Sequence, residues 1–295
     1  MTDLEDRALA AYLGLACGDA LGATVEFMTP AQIRTRYGIH RDIIGGGWLG
    51  LQPGQVTDDT EMALALGQAI VDCGGWDLQA VADSFVAWLA GQPVDVGNTC
   101  YRGIRRYQIQ GSLSSEPNEQ EGGNGACMRN LPVALATLGR ESEFRTWSLE
   151  QCHITHNHPL SDAATLALGR MVQILVGGGS REQCRPVADE LVARYPAFRF
   201  DPYPGRAGGY IVDTVQTVLH HFFATGDLES CIVETVNRGD DADTTGALAG
   251  MLAGACYGLQ EIPRCWLERL DPDCERRIRD QTRALLALAE SSSRC

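Results

Sequence analysis

Two short stretches carry the densest chemistry in the chain. Val56-Thr57-Asp58-Asp59-Thr60-Glu61 and Asp240-Asp241-Ala242-Asp243-Thr244-Thr245 set carboxylates and threonine hydroxyls directly before Ala/Leu/Gly-rich helical runs, MALALGQAI and GALAGMLAGA. Asp and Thr are good N-caps, because their side chains accept from the free N–H groups of a first helical turn. Capping accounts for one acid per helix and not for five aspartates. Carboxylates gathered this densely repel one another unless cations neutralise them. The oxygens of Thr57, Asp58, Asp59, Asp241, Asp243 and Thr244 are hard donors, a set that selects magnesium or manganese over zinc or copper. Six side chains exceed what one magnesium ion usually takes from protein. The expected cofactor is therefore two divalent cations, Mn2+ or Mg2+, bridged by a shared carboxylate.

Other polar groups sit at loop-to-helix junctions. Gly122-Gly123-Asn124-Gly125 could cradle a phosphate with its backbone N–H groups at a helix start. A plain glycine-rich turn is the competing explanation. The run His153-Ile154-Thr155-His156-Asn157-His158 lacks the cysteines or spaced acids of a zinc site, which favours ligand contact or structural hydrogen bonding. His220-His221 lies in an apolar helical run and reads as structural.

These groups need a scaffold, and 295 residues with 44% hydrophobic content supply a large core. A formal net charge of −14 argues against a broad nucleic-acid or anionic-membrane surface and suits a cationic partner or bound metal. The eleven cysteines include no C-x-x-C pair and many lie in apolar runs, the pattern of reduced, packed thiols. No signal-peptide layout and no membrane-spanning apolar run is present, so the cytoplasm is the expected location.

Helical periodicity predicts a first helix over 5–21 and a long loop over 23–55. Asp77 should cap an amphipathic helix ending near Gly91, and another should run to about Ile109. A helical run opened by Asn124-Gly125 should continue through Leu138. Further helices are expected at about 161–176, 180–194 (with a Ser180/Gln183 capping box), 209–224, 228–236, 244–257 and 272–289. The fold class is all-α, one domain over 1–295, with at most one or two short strands. Helical glycines would let helices pack closely.

GLACGDALGATVEF, VTDDTEM, PVDVGNT, GGNGACMR, ITHNHP and VNRGDDADTTGALAGMLAGA together resemble, in order and spacing, the ADP-ribosylglycohydrolase family. The likeness runs from about residue 7 to 290. It implies a compact all-α fold with a dinuclear manganese or magnesium cleft. The implied reaction is hydrolysis of the N-glycosidic bond joining ADP-ribose to an arginine of a target protein. Thr57, Asp58, Asp59, Asp241, Asp243 and Thr244 fall on the family's metal ligands, and Glu26 on an acid beside the metals. Asp95 takes the position of the residue acting on the ribose. Asn98, Asn124, Gly125, His156 and Tyr210 fall at positions implied to contact ADP-ribose.

The likeness extends to members acting on the nitrogenase iron protein. That implies an ADP-ribosylated protein substrate, control by a PII-type signal protein, and membrane association only through a partner. The family often has Gly-Gly-Asp-x-Asp-Thr where this chain has Gly239-Asp240-Asp241-Ala242-Asp243-Thr244. The register with Asp241 and Asp243 as ligands places Thr244 correctly. Two alternatives keep the fold: a hydrolase of another ADP-ribose or phosphate bond, such as a serine linkage, and a non-catalytic structural member. The filled ligand positions speak against the latter.

Overall fold

A computed structural model describes residues 3–292, and every regular element among them is helical. The first five α-helices are α1 (Asp3–Gly22), α2 (Pro30–Tyr37), α3 (Asp58–Cys73), α4 (Leu78–Ala90) and α5 (Asn98–Gln110). Next come α6 (Leu131–Ala136), α7 (Glu141–His153), α8 (Pro159–Val176), α9 (Arg181–Arg194) and α10 (Ile211–Ala224). The last are α11 (Leu228–Val236), α12 (Ala242–Tyr257), α13 (Arg264–Leu267) and α14 (Pro272–Ser292).

At the centre α1 lies along α12. Both are apolar around nearly their whole circumference, and such helices have no face to give to water. α1 is buried from Ala8 to Gly22 and α12 from Ala242 to Ala255. Their glycines recur every fourth residue on the contact line: Gly14, Gly18 and Gly22 meet Gly250, Gly246 and Ala242. A Cβ on Gly18 would stand 2.0 Å from the Gly246 carbonyl oxygen, and one on Gly250 2.0 Å from that of Gly14. The backbones touch where any side chain would hold them apart. This contact brings the C-terminal end of α1, which leads to Glu26, against the start of α12, which carries Asp243.

α3 and α14 pack on this pair. Gln281 of α14 ties three helices: its Oε1 accepts from the Tyr12 hydroxyl at 2.7 Å, and its Nε2 donates to the Leu64 carbonyl at 3.0 Å. No helix among the described residues is long and apolar enough to cross a membrane. The ten cysteines among the described residues are free, seven of them buried.

Most expected helices are present within a few residues, including Asp77 capping α4 through Ala80 N and the Ser180/Gln183 capping box of α9. Four differences have physical reasons. The expected loop over 23–55 contains α2, opened by a Thr29/Gln32 capping box with Pro30 at its first position. Only Ile33 of α2 is buried, so apolar periodicity could not show it. The run from Asn124 is a series of turns until α6 starts at Leu131-Pro132, where proline suits a first turn. α7 was not expected, its composition being mixed. In place of short strands there are two isolated bridges, Gly46 to Leu51 and Gly123 to Tyr210.

Candidate metal centre and substrate cleft

The two acidic stretches meet. Thr57 stands at the N-cap position of α3, yet its hydroxyl caps nothing there. It donates instead to Asp19 Oδ1 at 3.0 Å. Asp19, fully buried on α1, also accepts from the amides of Thr57 and Thr60 and from the Thr60 hydroxyl. An acid on another helix thus satisfies the first turn of α3, which frees the local acids for other work. From α12 the Thr244 hydroxyl donates to Asp59 Oδ2 at 3.1 Å, joining residues 185 apart in sequence.

Around this joint lie Glu26, Asp241 and Asp243, whose carboxylate oxygens come within 4.8 Å of one another. Asp58, on α3, accepts from the Gly97 amide at 3.1 Å, which carries Asp95 and Asn98 to the cluster's edge. Asp240 is exposed and stands outside the group. Glu61, the last acid of the first stretch, turns away and accepts from the Trp88 indole at 2.7 Å.

Burial raises the pKa of every acid in this group. Asp19 and Asp58 rise to about 7, Asp241 to about 6 and Glu26 to about 8. Mutual repulsion adds to this at Asp58, through Asp95, and at Glu26. Asp59 and Asp243 are raised well above the ordinary aspartate value, first by burial and then by neighbouring carboxylates, Asp243 foremost at Asp59 and Asp241 foremost at Asp243. Asp95, half-buried, also rises through burial. None of these acids has an arginine or histidine within ion-pair distance among the described residues. Asp59 Oδ1 is buried and has no hydrogen-bond partner among the described residues. An orphaned carboxylate oxygen amid unpaired buried acids is costly as it stands, and a hard divalent cation is the group that would satisfy it. The residues fit such an ion.

The glycine loop flanks Asp241. Asn124 Nδ2 donates to Asp241 Oδ2 at 2.5 Å and to the Thr214 hydroxyl at 3.0 Å. The Asn124 amide is taken by the Gly209 carbonyl, while the amides of Gly123 and Gly125 donate to no acceptor among the described residues. Free amides of this kind are what a phosphate could use. A Cβ on Gly125 would stand 2.7 Å from Cys100 Sγ and 2.9 Å from the His156 ring, so only glycine fits. His156 is buried, accepts or donates at Nδ1 with the Thr155 hydroxyl at 2.7 Å, and is held neutral by burial and by Arg129. Tyr210, at the start of α10, is half-exposed with its ring over Gly122. Asn98 is exposed at the first position of α5. His221 is buried, and burial together with Arg238 and His220 pushes it down to about 3.

Sequence reasoning missed Asp19, visible as an acid within the apolar part of α1, and Trp48, a lone aromatic after three glycines whose indole N–H donates to Glu26 Oε2.

A helical bundle with an oxygen-rich acidic cluster at the joint of α1, α3 and α12 defines a class, and comparison with known proteins gives it a family. The chain belongs to the ADP-ribosylglycohydrolase family, whose sequence pattern matches residues 1–294. It is 58% identical over 286 residues to the ADP-ribosyl-[dinitrogen reductase] glycohydrolase of Rhodospirillum rubrum, covering 97% of each chain. It is 33% identical over 282 residues to the ADP-ribosylarginine hydrolase Tri1 of Serratia proteamaculans (strain 568), covering 90% of this chain and 75% of that one. A solved structure described as an ADP-ribosylglycohydrolase-related protein complex superposes with a TM-score of 0.87 at 31% identity, over 98% of this chain and 100% of that one.

Proposed function

We propose that the protein hydrolyses the N-glycosidic bond between ADP-ribose and an arginine side chain of a protein, with the nitrogenase iron protein as target and two Mn2+ or Mg2+ ions as cofactor. The observation that carries this reading is the buried oxygen cluster without a cationic side chain, with an orphaned oxygen on Asp59. The names of the Rhodospirillum rubrum and Serratia relatives support the linkage and the target.

Thr57, Asp58, Asp59, Asp241, Asp243 and Thr244 would hold the ions, with Glu26 beside them. When bound, the ions supply Lewis-acid binding of the vicinal ribose hydroxyls. The chain's own residues do the rest. Gly123 and Gly125 offer free amides to the diphosphate, and Asn124, fixed by Thr214, holds the loop against Asp241. His156, Asn98 and Tyr210 line the ADP-ribose side. Asp95 sits half-buried at the cluster's edge, and its raised pKa brings it nearer to the range where a carboxylate works as a base. It takes the proton from the attacking water or from a ribose hydroxyl. The water oxygen bonds to the ribose C1 as the glycosidic C–N bond breaks, and the protonated guanidinium takes the bonding pair, leaves as a neutral guanidine and recovers the proton held on Asp95.

The direct test is release of free ADP-ribose from ADP-ribosylated nitrogenase iron protein, with Mn2+, with Mg2+ and with EDTA, beside a serine-linked substrate. Release that needs the ion and favours arginine is expected. No release under either ion sinks the reading.

A further inference from the structure

Two large apolar side chains beside the cluster are used by neither the core nor the proposed ion site. Phe27 and Trp48 are 62% and 56% exposed. Their ring centroids lie 5.3 Å apart with planes tilted by 52°. The Trp48 indole N–H donates to Glu26 Oε2, so this pair adjoins an acid of the cluster. Asp241 stands between the two flanks: it accepts from Asn124 on the glycine-loop side and lies within 4.8 Å of Glu26 on the other.

The chain goes to some length to hold these rings where they are. Trp48 sits at the tip of a small hairpin closed by Gly46 N to Leu51 O at 2.8 Å and Leu51 N to Gly46 O at 2.9 Å. Gly45, Gly46, Gly47 and Gly50 all have positive φ there, and a Cβ on Gly47 would stand 2.3 Å from the Ala23 carbonyl oxygen. Phe27 itself has φ 60°, and Asp240, whose carbonyl accepts the Phe27 amide at 2.6 Å, has φ 55°. Side-chain-bearing residues rarely adopt this backbone, and it persists where the surroundings impose it. Two aromatic faces are thus displayed, rigidly, next to a carboxylate.

Aromatic faces beside a carboxylate suit one chemistry above others, a planar and weakly hydrated cation. We propose that Phe27 and Trp48 form the subsite for the guanidinium and aliphatic stem of the modified arginine, and that they confer preference for a cationic linkage over a neutral one. This inference rests on the arginine-linked reading above. With the glycine loop taking the diphosphate on one side of Asp241, the leaving group is directed to the other. Contact with the ring faces holds the guanidinium protonated in the bound substrate, so that on taking the bonding pair it leaves as a neutral guanidine, and the indole N–H holds the Glu26 carboxylate beside it.

The test is the kinetics of ADP-ribosylarginine hydrolysis by the full chain loaded with Mn2+, for wild type, Trp48→Ala, Trp48→Phe and Phe27→Ala. The two alanine variants should raise KM roughly 3- to 30-fold, the range of one cation–π contact. The inhibition constant of free ADP-ribose, which lacks the guanidinium, should stay within about twofold of wild type, well below the value of one hydrogen bond to a charged group. Trp48→Phe keeps a ring and loses the N–H, so it should recover most of the KM and show the loss of the Glu26 contact in kcat. Unchanged KM in both alanine variants overturns the inference, as does a parallel loss of ADP-ribose inhibition, which would assign the rings to ADP-ribose itself. Equal KM increases in Trp48→Ala and Trp48→Phe would reduce Trp48 to a holder of Glu26 and also overturn it. If the wild type leaves the arginine linkage intact, it is the functional reading that fails. Intact wild-type hydrolysis with indifferent variants removes the subsite alone.

Discussion

Asp58, Asp59, Asp243 and Thr244 project from the first turns of α3 and α12, whereas Asp95, Trp48 and the glycine loop 122–125 lie outside the α-helices. The helix-borne half is buried, and its frame is a backbone-to-backbone contact that a single methyl group would disrupt. The loop-borne half is partly exposed and is aimed by individual hydrogen bonds, such as Gly97 to Asp58 and Asn124 to Asp241. Close-packed helices suit ligands that must converge on a small ion to within a fraction of an ångström. Loops suit contacts with a larger substrate, and they can change without moving the ligands. The two halves should therefore fail in different ways.

The largest expected effect separates them directly. Asp243→Ala should abolish ADP-ribose release and also lower Mn2+ uptake measured by equilibrium dialysis. Asp95→Ala should lower kcat by roughly 10²- to 10⁴-fold, the usual worth of a general base, and leave Mn2+ uptake at the wild-type level. Retained activity in both variants would break the proposed function. Equal loss of metal in both would erase the distinction between the halves.

Metal removal should expose the cost of the buried half. Asp19, Asp58, Asp241 and Glu26 are raised to between about 6 and about 8 in the folded protein. A carboxyl raised on folding binds its proton more tightly in the native state, so its contribution to stability is complete below the ordinary carboxylate pKa. It is lost as pH climbs through the folded value. With EDTA present, the melting temperature should fall as pH rises from about 4 to 8. With Mn2+ present the fall should be much smaller, because the ion compensates the ionised acids. A flat profile without metal would mean that the acids are satisfied some other way.

How much of this could be read from the amino-acid order follows the same division. The acidic donors of α3 and α12 stood out because each group falls within six residues at a helix start, where acids beyond the cap have no local use. Asp95 carries no such local excess of acid, and only the family resemblance pointed to it. The partners of Asp19 lie 38 and 41 residues away, so its role depends on a packing that no local pattern encodes. The helical glycines suggested close packing, but not that α1 and α12 were the pair. α2 was missed because its evidence is a capping box and not an apolar stripe.

Asp19 gives the next smaller effect. Asp19→Asn keeps the size and loses one of two acceptor oxygens, leaving at least one buried donor of Thr57 or Thr60 unpaired. It should weaken Mn2+ binding by about 10- to 100-fold, as changes behind a metal's direct ligands do. Saturating Mn2+ should restore most of the kcat, which a loss of folding would not allow.

The smallest effect tests whether the glycine loop is a phosphate cradle or only a tight turn. A Cβ on Gly123 would stand 3.1 Å from His156 Nε2 and 3.8 Å from the Gly209 carbonyl oxygen, close enough to press on the imidazole without breaking the bridge to Tyr210. The metal cluster does not touch this position, so Mn2+ binding should be unchanged in Gly123→Ala. If the free amides and His156 hold ADP-ribose, its inhibition constant should rise about two- to tenfold, the worth of one hydrogen bond. Isothermal titration with ADP-ribose reads this directly. An unchanged constant would remove the diphosphate from this loop and leave Gly123 as a packing residue beside Tyr210.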